Sequence, residues 1–345
     1  MSYVTVTLNH FRALQAWAAE HRADVRMDVR TFMVEITRGG GRCVLRPQFF
    51  GSVNGRMMYT QVLGPDVTGF IGWLPYRPIR WPLSSDKLEF KRFVQAHGLR
   101  TPTICSDMQP PQLDHVWKCA AGSFGQAVYG PYRAGTTGTD LQQRSGDPER
   151  SMFAEEFIVG RNLKAWFWGG VPFHLHLHPY ASILGDGAST IAELIRRRTG
   201  RLGSEFADDA DAPWIAASLA YQGWKLDDIA PVEREVWIDY RYGRSYQRFS
   251  LQTQSDSALS QLSAEAAEQV LEIGLLLHAD LTKSLRLPVL FAVDGVLDSQ
   301  DRIWWLETNS NPVLPPTGYP LVLATLFESD AQPSTSAARK DLAAA

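Results

Sequence analysis

Cysteine is scarce in this chain: Cys43, Cys105 and Cys119 are the only three in 345 residues. They are too few and too widely spaced for a disulfide framework or a thiolate zinc site. No long apolar run occurs, so neither a membrane span nor a membrane partner is expected. Charge of one sign is lacking too. The formal net charge is −3, and the densest basic run, Arg196-Arg197-Arg198, reads as the solvated end of a helix, so no nucleic-acid partner is expected. The opening MSYVTVTLNHF lacks the charged and apolar segments of a secretory signal, and few cysteines suit a reducing compartment; a cytoplasmic location is expected. Neither a Walker sequence nor a GxGxxG opening a helix is present. With 45% apolar and 21% charged residues, the composition is that of two or three folded domains acting on a small partner.

The organisation follows from punctuation. Residues 1–83 hold one early helix, Asn9 to His21, and short apolar alternations broken by Gly39-Gly40-Gly41, Gly51 and Gly55. After Pro75, Pro78 and Pro82 the composition changes, and Ser85 is the expected N-cap of a helix from Asp86 to about His97, stopped by Gly98. A boundary near 83 follows, with a second unit to 154, a third over 155–328 and a loose tail over 329–345.

The most informative stretch is Phe291 to Pro312, FAVDGVLDSQDRIWWLETNSNP. Glu307 and Asn309 alternate with Leu306 and Thr308, so on a strand they share one face. Asp298-Ser299-Gln300-Asp301 reads as a four-residue hairpin loop. That even length brings Asp294 onto the side of Glu307 and Asn309, with Trp305 on the same face. The set is all oxygen and suits Mg²⁺ beside nucleotide phosphates.

A second feature is Lys118-Cys119-Ala120-Ala121-Gly122-Ser123-Phe124-Gly125 between two strands. Its backbone N–H groups and Lys118 could face the oxygens of a triphosphate. His174, His176 and His178 alternate along one strand face; without a Cys or an acid among them they read as structural or substrate-side groups and not as a metal comb.

In order, these segments resemble the ATP-grasp superfamily over roughly residues 84 to 320. Asp86-Lys87 with Gly98-Leu99-Arg100-Thr101-Pro102 is similar to that family's opening, and the resemblance implies that Lys87 and Lys118 hold the ATP phosphates under a loop formed by Gly122, Ser123 and Gly125. Glu155-Glu156-Phe157-Ile158 is similar to the hinge that holds the adenine. Asp294, Glu307 and Asn309 resemble the metal-holding trio of D-alanine–D-alanine ligases. Gly160-Arg161-Asn162-Leu163-Lys164 and Gly185-Asp186-Gly187-Ala188-Ser189-Thr190-Ile191-Ala192-Glu193-Leu194-Ile195 resemble cyanophycin synthetases and glutathione-forming ligases. Asn162 and Lys164 stand where those relatives carry an acid and an arginine. Ala292 replaces an arginine of the D-alanine ligases, which leaves Arg241 and Arg244 as candidates for the missing cation.

The resemblance implies an α/β (α+β) ATP-grasp fold, the nucleotide lying between two α+β subdomains behind a small N-terminal domain. It implies ATP and Mg²⁺, two ions with Mn²⁺ able to substitute, and catalytic Lys164, Arg241 and Arg244. The activity implied is carboxylate–amine ligation through an acyl phosphate, on amino acids or peptides, by a homodimer. Two alternatives stand beside it: a graspetide-type ligase crosslinking a ribosomal peptide, and an ATP-grasp kinase or nucleotide sensor.

Overall fold

The computed structural model describes residues 3–53, 56–105, 111–121, 128–136, 152–199, 212–242, 257–285 and 288–327. They form a mixed α/β protein built on antiparallel sheets. Among the described residues no helix is long and apolar enough to cross a membrane. The tail expected from Ser329 lies outside them.

Helix α1, Tyr3–His21, starts well before the expected Asn9. Val4, Thr5, Val6 and Thr7 have low helix propensity, but Val6 packs onto the core, and tertiary packing overrides such preferences. The helix covers a sheet of β1 (Asp24–Met27), β2 (Val34–Arg38), β3 (Gly41–Val53), β4 (Arg56–Thr60) and β5 (Val67–Leu74), in which the long β3 pairs with β2, β4 and β5. Leu14, Trp17, Phe49, Phe70 and Trp73 fill the space between. The same core takes in Trp166, Trp168, Ala292, Tyr319 and Val322 from the far end of the chain.

A second sheet runs β6 (Ile104–Cys105), β9 (Met152–Glu156), β7 (His115–Cys119), β8 (Val128–Tyr132). The third, which carries most of the chemistry, runs β11 (Val171–His178), β10 (Arg161–Trp168), β14 (Leu290–Leu297), β15 (Ile303–Asn309). Its odd-numbered residues on β10 and β14, Leu163, Ala165, Phe167, Phe291 and Val293, bury against α2 (Lys87–Ala96) and a later helix, Ala264–Leu281. Between β11 and β14 the chain makes a two-stranded excursion, β12 (Ala181–Leu184) and β13 (Glu235–Asp239), with helices Ile191–Thr199 and Ala212–Gln222.

The segment Gly185-Asp186-Gly187 is a structural corner. A Cβ on Gly185 would lie 2.1 Å from the Pro231 carbonyl oxygen, and Gly187 has φ +71°. Asp186 accepts from the N–H groups of Ala188 and Ser189, after which Thr190 and Glu193 bond reciprocally in a capping box.

Two local expectations are corrected. The N-cap of α2 is Asp86, whose Oδ1 accepts from the N–H groups of Leu88 (2.8 Å) and Glu89 (3.3 Å); Ser85 instead closes the preceding turn by donating to the Trp81 carbonyl. The β14–β15 loop has five residues, Asp298 to Arg302, because Asp298 Oδ1 accepts from the N–H groups of Gln300 and Arg302 and its own N–H bonds the Arg302 carbonyl. Leu297 therefore pairs with Ile303, and the parity is opposite to that expected. A bulge then adds Leu306, and beyond it Asp294 does oppose Glu307. The N–H of Trp305 at the bulge turns out to the Arg100 carbonyl (2.9 Å).

Asp86→Ala should destabilise the protein by about 1 kcal/mol, the usual worth of an N-cap. In a urea titration the midpoint would fall while the slope stayed constant.

Candidate active site

Directly opposed residues of a sheet share a face, and the register of the third sheet sets four ionisable side chains in one row. His176 on β11 opposes Lys164 on β10, which opposes Asp294 on β14, which opposes Glu307 on β15. The neighbouring row is His174, Trp166, Ala292, Asn309.

Lys164 Nζ lies 2.8 and 3.0 Å from the two oxygens of Asp294, and Asn309 Nδ2 donates to Asp294 Oδ2 at 2.8 Å. Lys87, in the first turn of α2, reaches Glu307 Oε2 at 3.0 Å. Burial raises the Asp294 carboxyl above the usual carboxylate range; Glu307 opposite raises it further, against Lys164 and Asn309. Two opposed carboxylates of this kind call for positive charge. With the Asn309 amide they make a hard oxygen set, and the chemistry of that set fits Mg²⁺ or Mn²⁺. Among the described residues no group of three or more His, Cys, Asp and Glu side chains is arranged to hold a metal.

A second cluster continues the site onto the other sheet. Glu155 on β9 is buried between Lys91 (Nζ to Oε2, 2.6 Å) and Lys118, which binds its other oxygen. Lys91 is fully buried and also donates to Thr101 Oγ1 at 3.0 Å. Burial alone would raise the Glu155 carboxyl, but the two lysine charges outweigh it and hold the group below its ordinary value. The clusters meet because the Lys87 N–H bonds the Ala120 carbonyl at 3.0 Å, which fixes the start of α2 beside the end of β7. Four lysines face three carboxylates here, leaving one positive charge in excess.

Several site residues are placed differently from expectation. Trp305 is buried among Phe291, Val293 and Phe90, on the opposite face from Asp294, because the five-residue loop inverts the alternation ahead of the bulge. Asn311 bonds both backbone groups of Ile79 and so clamps the linker before α2. Glu155 reaches the lysines, while Glu156 Oε2 accepts from the Thr103 N–H. Phe157 packs against Tyr180, Tyr221 and Tyr240, and the Ile158 carbonyl accepts from Tyr180 Oη. Asn162 donates to the Tyr240 carbonyl at 2.8 Å. Arg241 is buried, bound to Asp239 through Nε (3.0 Å) and Nη2 (2.5 Å), and stacked over Trp214 at 4.0 Å. Its guanidinium is thus committed to an internal ion pair. Gly122, Ser123, Gly125 and Arg244 lie outside the described residues.

Lys91 was not among the expected site residues. Its signal was present: it stands four residues after Lys87, on the same face of a helix.

No family model matches the chain, and no curated protein matches its sequence. Solved structures do. A bifunctional glutathione synthetase from Pasteurella multocida is 14% identical over 94% of this chain and 43% of its own, with a TM-score of 0.43. A D-alanine–D-alanine ligase from Bacillus anthracis is 15% identical, covering 75% of this chain and 70% of its own, TM-score 0.39. An L-amino acid ligase from Bacillus licheniformis is 13% identical, covering 68% and 42%, TM-score 0.30. The chain spans less than half the length of the glutathione synthetase. Likeness of this degree carries no chemistry across, so the side chains must carry the reading.

Glu155→Gln removes the charge that balances two enclosed lysines, and should cost about 3 kcal/mol or more, as breaking a buried pair does. A carboxyl held low in the folded state stabilises above the ordinary carboxylate range and loses that contribution as pH falls through its folded value. The variant should therefore show a flatter acid limb than the parent when unfolding free energy is measured from pH 7 downward.

Proposed function

We propose that this chain is an ATP-dependent carboxylate–amine ligase of the ATP-grasp type, joining amino acids or short peptides and releasing ADP and phosphate. One observation carries the reading: the row Lys164, Asp294, Glu307, continued by Lys87 and by Lys118 on Glu155, spans two sheets with lysines and paired carboxylates. Phosphoryl transfer asks for positioning and charge neutralisation more than for covalent help, and those are the parts supplied.

In this reading Lys87 and Lys118 bind phosphate oxygens, each released from its carboxylate when a more highly charged anion arrives. Glu155 and Lys91 hold Lys118 in place from within the core. Asp294, Glu307 and Asn309 would hold the divalent cation, which when bound neutralises charge on the phosphates. Lys164 takes the cation position beside the reacting carboxylate that Arg241, tied to Asp239, cannot fill. Its ammonium lies 5.6 Å from the ring centroids of both Trp166 and Tyr242, which orient it. The substrate carboxylate attacks the γ-phosphate, ADP leaves, and the amine displaces phosphate from the acyl phosphate.

The direct test is ADP and phosphate release with MgATP and amino acids offered singly and in pairs, hydroxylamine trapping the acyl phosphate. Carboxylate-dependent turnover with hydroxamate is expected; ADP with a phosphorylated product and no hydroxamate would make it a kinase instead. Glu307→Gln should lower turnover on the order of 10²-fold at limiting Mg²⁺, about 3 kcal/mol of barrier. Independently of activity, Mn²⁺ should raise the thermal midpoint of the parent and leave an Asp294→Asn, Glu307→Gln double variant unmoved.

A further inference from the structure

Four side chains on the Lys164 face form a hydrogen-bonded chain; of these only Tyr242, through its ring, enters the reading above, and its hydroxyl does not. Thr317 Oγ1 lies 3.2 Å from His174 Nδ1, His174 Nε2 lies 3.0 Å from His176 Nε2, and His176 Nδ1 lies 2.5 Å from Tyr242 Oη. Every link is within proton-transfer reach. The two histidines are 3% and 2% exposed, whereas Thr317 and Tyr242 at the ends are half-buried. The Trp166 ring meets both imidazoles edge-on, at 5.3 and 4.8 Å between centroids, and shields them. One end opens beside Lys164, over which the Tyr242 ring lies; the other ends in the turn Pro316–Gly318.

Burial, helped by the neighbouring His174, His178 and Lys164, pushes His176 down to about 3, so the ring is neutral near pH 7. Two imidazoles that meet through Nε2, each ring carrying one proton, share a single proton between those nitrogens. In one arrangement Tyr242 donates to His176 Nδ1, His176 Nε2–H donates to His174 Nε2, and His174 Nδ1–H donates to Thr317. In the other, all three bonds are reversed. Passing from the first to the second moves one proton along the whole chain without charging either ring.

We propose that this chain is the proton exit for the amine substrate, with Tyr242 as a catalytic residue and His176, His174 and Thr317 as the relay behind it. The proposal rests on the ligase reading. An amino group reaches the site near neutral pH as R–NH₃⁺, with no electron pair to attack with. Tyr242 Oη takes one proton from it while giving its own to His176 Nδ1. His176 passes its Nε2 proton to His174 Nε2, and His174 passes its Nδ1 proton to Thr317, whose own proton goes to water. The freed amine then forms the N–C bond as the C–O bond to phosphate breaks, and the second nitrogen proton goes to the departing phosphate. When the emptied site is open to water, a proton drawn in at Thr317 and released at Tyr242 restores the first arrangement.

Tyr242→Phe and Thr317→Val keep shape at the two ends and remove one hydroxyl each. Each should slow amide formation from an amino acid acceptor on the order of 10²-fold more than it slows hydroxamate formation, since hydroxylamine is already neutral at pH 7. The double variant should be no slower than the slower single one, because the hydroxyls act in series, whereas separate structural defects multiply. Equal slowing with both nucleophiles, or multiplying effects, would overturn the relay. Absence of hydroxamate from the parent protein would overturn the ligase reading, and the relay with it.

Discussion

Asp294 and Glu307 stand directly opposed on neighbouring strands, and like charges in that position repel. The repulsion shows in the Asp294 carboxyl, which burial and then Glu307 raise above the usual carboxylate range against Lys164 and Asn309. The sheet holds together there because Lys164 lies across the next strand and Lys87 arrives from α2. Much else depends on that need for cations. It accounts for the start of α2 against this edge, where Lys87 meets Glu307 and Asn311 anchors the linker before the helix.

The second constraint is burial of the Lys91–Glu155–Lys118 cluster. Enclosed charges are expensive unless paired, and here one carboxylate serves two ammonium groups. Apolar residues could fill the same space at less cost. What the charges add is a rigid support for Lys118, which would otherwise hold many rotamers, and a field that favours anions at the surface of the cluster.

The third sheet separates these tasks by face. Odd residues of β10 and β14 supply an apolar layer under α2, and even residues supply the polar row, with Trp166 closing it toward the N-terminal core. His174 and His176 share that polar face through the strand period, and Tyr242, from beyond β13, joins them by a hydrogen bond to His176 beside Lys164.

Much of this was legible in the chain. Alternation put Glu307 and Asn309 together, and a helix from Asp86 to about His97 was expected, though with Ser85 and not Asp86 as its cap. These are local effects, carried by residues within a few positions of one another. The partners of Glu155, the burial of Trp305 and the commitment of Arg241 to Asp239 were not legible. The loop length depended on which backbone groups Asp298 captured, and the bulge that restored the register depended on the Arg100 carbonyl, some two hundred residues away in sequence. The sequence by itself determined which residue types could meet on a strand face. Tertiary structure decided which faces meet, because pairing between distant strands and the choice of a partner for each enclosed charge are settled by packing and not by neighbours in the chain.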